Sequence, residues 1–439
     1  MRVIRAKIKI SLFLSMAGKP KKKQIRVSTL FLEGTCLKKC VLAYSGGLDT
    51  SVLIKWISEK LGYDVITAIV DVGQGEDLNR LVSKALKIGA IKSLCLDAKK
   101  EFVEHYVFRA IKANAMYQGS YPLSTALARP LIAEKVVNVA LAEGASAVAH
   151  GCTGKGNDQV RFETSFKSLA PQLEILAPVR EWGMMRDDEI EYAAARNIPI
   201  PPKSRFSIDQ NIWGRSIEGA ELEDTMAEPP EEAFEWTVAP ERAPDSPAYV
   251  ELEFEGGVPV RMNGKEMAGL ELVGELNRLV GSHGVGRIDH IEDRIVGIRS
   301  REIYEAPAAV ALMSAHMDLE KTVLTKAELE AKSLLESYWS RLVYCGLWMD
   351  PCRQAIDAFF DRIQERVEGK VRIKLYKGSM RIVGRQSKWS LYDKSLAMYE
   401  KGSTFDQSLS KGFIDLFSLS TVTANRVMAT VGKKGKPKN

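Results

Sequence analysis

Cysteine is scarce in this chain. Cys36, Cys40, Cys95, Cys152, Cys345 and Cys352 are scattered over 439 residues with no C-x-x-C pair. That spread excludes a disulfide framework and a cysteine-built zinc site, and points to the reduced thiols of a cytoplasmic protein. Of the five histidines, His105, His283, His290 and His316 read as structural and only His150 borders a glycine-rich loop, so none stands out as a base. Long apolar runs are missing too. The stretch 8–17 contains Lys9 and is too short to span a bilayer, and the basic run 19–23 follows it where a signal peptide would need a small-residue cleavage site. No membrane segment or secretion is expected. Acids are nearly absent from residues 1–38, which hold ten Lys or Arg against Glu33 alone, and four more lysines crowd the last seven residues. Without these two ends, 48 basic and 55 acidic residues remain, so a body near −7 lies behind the overall +6. A nucleic-acid groove is not expected on such a body.

What is present begins at Val41-Leu42-Ala43-Tyr44, a strand-like run that enters Ser45-Gly46-Gly47-Leu48-Asp49-Thr50-Ser51. Val52, Leu53, Trp56 and Ile57 then recur at the intervals of one helix face. Two glycines let backbone N–H groups converge on an anion, and the dipole of the following helix adds favourable charge. No lysine follows these glycines. Backbone amides, hydroxyls and Mg²⁺ must then hold the phosphates of a nucleotide, because Asp49 would repel them unless a cation intervenes. A second loop, His150 to Arg161, also follows a buried strand and contains Gly151, Gly154 and Gly156. Asp158 and Arg161 share a face if a helix begins there, and such a pair can grip an amino acid by its ammonium and carboxylate.

The wider pattern is α/β. Strand-like 65–70, helical 78–88, strand-like 93–96, a helix over 127–141 with Pro130 in its first turn and strand-like 145–149 alternate as in a parallel sheet. Ligands of such sheets lie beyond the carboxyl ends of the strands. After about Asn211 the composition changes: 228–247 reads as a linker or surface excursion, 249–254 and 258–262 as a hairpin across Glu255-Gly256-Gly257, 306–367 as mainly helical, and 371–383 as a second hairpin. The tail from Lys411 is ambiguous, and no internal repeat is visible. The expected organisation is a mobile basic extension at 1–38, a nucleotide-binding domain at 39–210, an α+β synthetase domain at 211–405 and a C-terminal segment with a basic tail at 406–439.

The first loop resembles that of the N-type ATP pyrophosphatases, which cleave ATP between its α and β phosphates. Five segments in order, AYSGGLDTS at 43–51, TALARP at 125–130, HGCTGKGNDQVRFE at 150–163, HGVGRIDHIEDR at 283–294 and REIYEAPA at 301–308, make the chain similar to the argininosuccinate synthase family from about Lys39 onward. The resemblance implies ligation of citrulline to aspartate with ATP, releasing AMP and pyrophosphate, by a homotetramer. It implies that Ala43, Tyr44, Ser45, Gly46, Gly47, Leu48, Asp49, Thr50 and Ser51 hold the phosphates, with Val70 and Gly151 also on ATP. Thr153, Asn157 and Asp158 match aspartate-binding positions. Citrulline would meet Tyr121, Thr125, Ala126, Asn157, Arg161, Ser207, Ser216, Glu292 and Tyr304. Asp49, Asp158 and Arg161 would carry the chemistry. Cys152 stands where the family often has alanine, and Ala126 where some members have serine. A pyrophosphatase that adenylates tRNA would use the basic arm as an RNA contact, but the acidic body argues against that, and a nucleotide sensor would have no use for the second loop.

Overall fold

A computed structural model describes residues 38–200, 204–400 and 403–434. The expected basic extension lies outside these, apart from Lys38, which opens the first strand. Strands β1 (Lys38–Ala43), β2 (Tyr63–Asp71), β3 (Lys92–Asp97), β4 (Ala147–Ala149) and β5 (Glu174–Leu176) form a parallel sheet in the order β3-β2-β1-β4-β5. Alternate residues of β1 feed two cores. Leu42 packs with Val52, Leu53 and Ile57 on one face, and Val41 with Val136, Val148 and Phe166 on the other. Strand order reverses between β1 and β4, so the loops that leave their carboxyl ends face a common crevice.

The helix Leu78–Ile88 has the bounds its periodicity predicts, and Asp77 caps it by accepting the N–H of Arg80 at 3.1 Å. The next long helix departs from expectation. It runs Ser124–Ala142, so Pro130 sits in the second turn and not the first. Leu123, at φ 65°, turns the chain into it, and the hydroxyl oxygen of Tyr121 accepts the N–H of Thr125 at 2.9 Å. A tyrosine doing the work usually done by Ser or Asp leaves no start signal in the sequence.

Beyond residue 204 the strands are β6 (Ser207–Asn211), β7 (Gly214–Glu218), β8 (Ala248–Glu255), β9 (Val258–Met262), β10 (Lys265–Glu266), β11 (Arg287–Asp293), β12 (Arg299–Glu305), β13 (Gly369–Tyr376) and β14 (Ser379–Gln386). They form two antiparallel sheets, β10-β9-β8-β13-β14 and β11-β12-β7-β6. The β8–β9 hairpin turns through Gly256 and Gly257, both at positive φ, as a two-residue turn with matching twist requires. Helices Pro307–Val323, Lys326–Tyr344 and Pro351–Gln364 fill the expected helical region. The ambiguous tail forms a helix, Leu409–Lys434, whose Phe413, Leu416, Phe417 and Met428 are exposed.

The stretch read as a linker or surface excursion is held more firmly than its composition suggests. Glu305, fully buried at the end of β12, accepts the N–H groups of Glu235, Trp236 and Thr237 at 2.9–3.0 Å and pairs with Arg215 at 2.8 Å. Arg215 in turn donates to the carbonyl of Ala233 at 2.7 Å. A buried charge must find such partners or revert to its neutral form. Elsewhere, Glu163 on the helix Asp158–Leu169 lies 3.4 Å from His150 Nε2 and 2.6 Å from Arg180. Its contact with His150, with the Arg180 charge, outweighs burial and holds the Glu163 carboxyl at about 2.

Two stability predictions follow from these anchors. Glu305→Ala should lower unfolding free energy by about 3–5 kcal/mol, read as a fall in the urea midpoint, since it strands a buried guanidinium. Glu163 has a depressed folded-state pKa, so its contribution is complete above the unfolded value near 4.5 and is lost as pH falls toward about 2. Thermal midpoints measured across that window should therefore drop more steeply for the wild type than for Glu163→Gln.

Candidate active site

The first loop turns where Gly46 takes φ 79°, a conformation that disfavours any side chain, and a Cβ there would meet Leu81 at 2.4 Å. Gly47 then precedes the helix Leu48–Trp56 in extended conformation. Ser45 Oγ accepts the Gly47 N–H at 3.4 Å and lies 3.2 Å from Thr50 Oγ1, so the loop's hydroxyls brace one another around the helix N-terminus. Lys84, from the helix Leu78–Ile88, donates to the carbonyl of Gly46 at 2.7 Å and steadies the turn. Behind Asp49 stands Glu189, which is 6% exposed. Burial, then the hydrogen bond and charge of Asp49, push the Glu189 carboxyl up to about 8, so this pair carries a proton at neutral pH.

The second loop lies directly against the first. Gly151 permits this, because a Cβ there would come within 2.8 Å of Thr50 Cγ2. Gln159 ties the loop down by donating to the carbonyls of Gly154 (2.6 Å) and Gly156 (3.3 Å). The helix begins at Asp158, as the spacing of Asp158 and Arg161 anticipates, and the two side chains pair at 3.0 Å. Arg129 donates to Asp158 at 2.8 Å and also bonds Asp209, so one guanidinium serves two carboxylates. Their environments differ. Burial opposes ionisation of Asp158, but the charges of Arg129 and Arg161 outweigh it and hold its pKa below the usual range. For Asp209 burial dominates and Asp158 adds repulsion, which together raise its pKa despite Arg129.

The third wall is the sheet β11-β12-β7-β6. Its pleat places Ile217 and Ile303 on a small core with Phe206 and Leu222, and its other face toward the crevice. Register sets Asp209 and Tyr304 on either side of Ser216. Glu292, 3% exposed, accepts a hydrogen bond from Tyr304 at 2.6 Å and a second from Tyr344. Tyr121 stacks on Tyr304 at 4.4 Å and Tyr117 on Tyr344 at 3.5 Å. Burial drives the Tyr304 and Tyr344 phenols well above their ordinary pKa, so both remain donors.

These walls enclose a cavity of about 730 Å³. The expected site residues line it except Gly46, Gly47, Leu48, Ser51 and Ala126. Ser51 is buried, its hydroxyl 3.2 Å from that of Tyr44, and Ala126 is buried in its helix. His150 braces the second loop by accepting the N–H of Cys152 at Nδ1, and His316 is buried between Asn114 and Gln364, away from the cavity. Cys152 lines the cavity, and burial pushes its thiol up, which keeps it protonated. Arg129, Asp209 and Lys84 were missed by sequence reasoning. Arg129 lies inside the TALARP segment and could have been singled out as its one charge; Asp209 and Lys84 carry no comparable local signal.

Two family models match the chain: the arginosuccinate synthase N-terminal HUP domain over residues 39–199 and the arginosuccinate synthase C-terminal domain over residues 206–424. Argininosuccinate synthase of Pyrococcus furiosus is 59% identical over 390 residues, spanning 89% of this chain and 95% of that one. The enzyme of the same name from Dictyoglomus turgidum is 56% identical, over 87% and 96%. That from Pyrobaculum aerophilum is 53% identical, over 88% and 98%. Among solved structures, the U34-tRNA thiolase NcsA of Methanococcus maripaludis aligns at a TM-score of 0.26 and 14% identity over 38% of this chain and 59% of that one, too slight a likeness to carry an argument. Two glycine loops at a strand-order reversal, an acid–guanidinium pair beside them and family matches across both halves lead to one conclusion: this chain is a member of the argininosuccinate synthase family.

Proposed function

We propose that the cavity is a divided ligase site, with ATP on the first loop and two amino acids on the second loop and the antiparallel sheet. The reaction is ATP-dependent ligation of L-citrulline and L-aspartate to argininosuccinate, with AMP and pyrophosphate released, a step of arginine biosynthesis. The ureido oxygen of citrulline attacks the α phosphate, pyrophosphate leaves toward residues 43–51, and the aspartate amine displaces AMP from the citrullyl-adenylate. Positioning and charge stabilisation carry most of such a rate enhancement.

The observation that carries this reading is the free arm of Arg161. The residue is 3% exposed and lines the cavity; its Nε and Nη1 are bonded, and its buried Nη2 has no partner among the described residues. A buried donor of this kind calls for an acceptor, and the carboxylate of citrulline supplies one. Asp158, kept ionised by its two arginines, is the matching acceptor for the aspartate ammonium, with Thr153 and Asn157 beside it. Tyr121, Thr125, the Ala126 backbone, Ser207, Ser216, Glu292 and Tyr304 complete the citrulline side, while Val70 and Gly151 flank ATP.

No cluster of three or more His, Cys, Asp or Glu suited to a metal occurs among the described residues. Mg²⁺ is commonly held by one or two carboxylates together with phosphate oxygens, and Asp49 backed by Glu189, whose buried Oε2 has no partner among the described residues, fits that manner of binding. Mg²⁺ would then enter with ATP. No helix among the described residues is long and apolar enough to cross a membrane; we assign the chain to the cytoplasm. The exposed apolar side chains of the helix Leu409–Lys434 support a homotetramer that would cover them. Sedimentation equilibrium at four chain masses is expected, and a monomer at micromolar concentration sinks that assignment.

Incubated with MgATP, citrulline and aspartate, the protein should form AMP and argininosuccinate in equal amounts, and chelating Mg²⁺ should stop both. AMP without argininosuccinate would overturn the reading. Asp158→Asn should raise KM for aspartate about tenfold or more, the worth of a hydrogen bond to a charged group. Citrulline-dependent pyrophosphate exchange should persist in that variant, and equal loss of both activities would count against an aspartate-specific role.

A further inference from the structure

The helix Lys326–Tyr344 ends in a way that its sequence explains. Gly346 takes φ 77°, its N–H bonds the carbonyl of Val343 and the N–H of Leu347 bonds that of Leu342, which is a Schellman close. A Cβ on Gly346 would lie 2.8 Å from Arg161 Cα, so only glycine lets this helix end approach the helix that carries Asp158 and Arg161. The termination leaves Tyr344 as the last helical residue, fully buried and just behind the cavity wall.

Its carbonyl and its hydroxyl both meet site residues. The carbonyl accepts Nε of Arg161 at 3.0 Å, and the guanidinium lies over the ring at 4.9 Å. The hydroxyl donates to Glu292 Oε1 and accepts Nδ2 of Asn157 at 2.9 Å. With its one proton committed to a carboxylate, that hydroxyl can only accept from Asn157, which fixes the amide: Nδ2 toward Tyr344 and Oδ1 on the N–H of Ile295 at 2.8 Å. Glu292 is oriented in the same way, one phenol on each oxygen, with lone pairs left for substrate.

We propose that Tyr344 is a positioning residue, whose hydroxyl couples the Asn157 amide to the Glu292 carboxylate and so holds the two amino-acid subsites in mutual register. Displacing one reacting partner by about 1 Å can cost two orders of magnitude in rate, so a fixed separation between the subsites matters to the ligation step. The inference rests on the assignment of Asn157 and Glu292 to substrate, which Asn157→Ala and Glu292→Gln test separately. It is distinct from a packing role. Tyr117 is stacked on the same ring, yet its hydroxyl donates to the carbonyl of Asp293 and reaches neither Asn157 nor Glu292.

The test compares Tyr344→Phe with Tyr117→Phe in the full chain, measuring KM for each substrate, kcat and the thermal midpoint. Tyr344→Phe keeps the ring and its stacking. It should raise KM for citrulline and for aspartate about ten- to hundredfold, the range for losing a hydrogen bond to a charged acceptor, while KM for MgATP stays within twofold. Tyr117→Phe should leave all three within twofold. In an Asn157→Ala background, adding Tyr344→Phe should raise KM for citrulline but add nothing further for aspartate. The proposal is overturned if Tyr344→Phe leaves both amino-acid constants unchanged, if Tyr117→Phe reproduces its losses, if MgATP affinity falls in parallel with a lowered thermal midpoint, or if the aspartate losses of the double variant simply multiply.

Discussion

The site is organised around a guanidinium that has been taken out of water. Arg161 is almost fully buried, and a charge in that position has to be matched by acceptors of good geometry. It finds them on three elements: Asp158 one turn earlier on its own helix, the Thr125 hydroxyl at the start of the helix Ser124–Ala142, and the Tyr344 carbonyl at the end of another. Satisfying one charge therefore fixes the relative positions of helices from both halves of the chain. Its Nη2 is left without a partner among the described residues, and in the proposed reading a substrate carboxylate would complete the set.

A second guanidinium divides the acidic groups into two kinds. Arg129 touches both Asp158 and Asp209, but Asp158 also has Arg161, and that extra cation separates their tendencies to ionise. Around the first loop the opposite device operates. Glu189 is buried against Asp49, the Arg186 charge does not offset that burial, and the carboxyl keeps a proton at neutral pH. Carboxylates in and beside the cavity that look equivalent in composition are thus set apart by the burial and the charges around each.

Where conformation is local, the sequence was readable. The strand–glycine–helix passage at 41–57, the helix Leu78–Ile88 and the Gly256-Gly257 hairpin emerge as expected, since each depends on φ preferences and on the periodicity of neighbouring residues. The start of the helix Ser124–Ala142 is not legible because its cap is a tyrosine hydroxyl, and the anchoring of 228–247, a linker or surface excursion by composition, is not legible because the carboxylate that holds it, Glu305, is nearly seventy residues away. Part of the cavity lining is legible through the five motifs, while Val70, Tyr121, Ser207 and Ser216 lie outside them and rest on the family resemblance alone; Ser207 and Ser216, taken alone, pass as ordinary loop residues.

By itself, the sequence determined the two glycine loops, the strands that lead into them and the acid–guanidinium pair three residues apart, because these are properties of short segments. Tertiary structure alone decided the rest. Lys84 reaches Gly46 across 38 positions, Arg129 reaches Asp209 across 80, and Tyr344 reaches Asn157 across 187. No local preference encodes such contacts. They exist because burying the helices and sheets that carry them leaves each polar group with those partners or none.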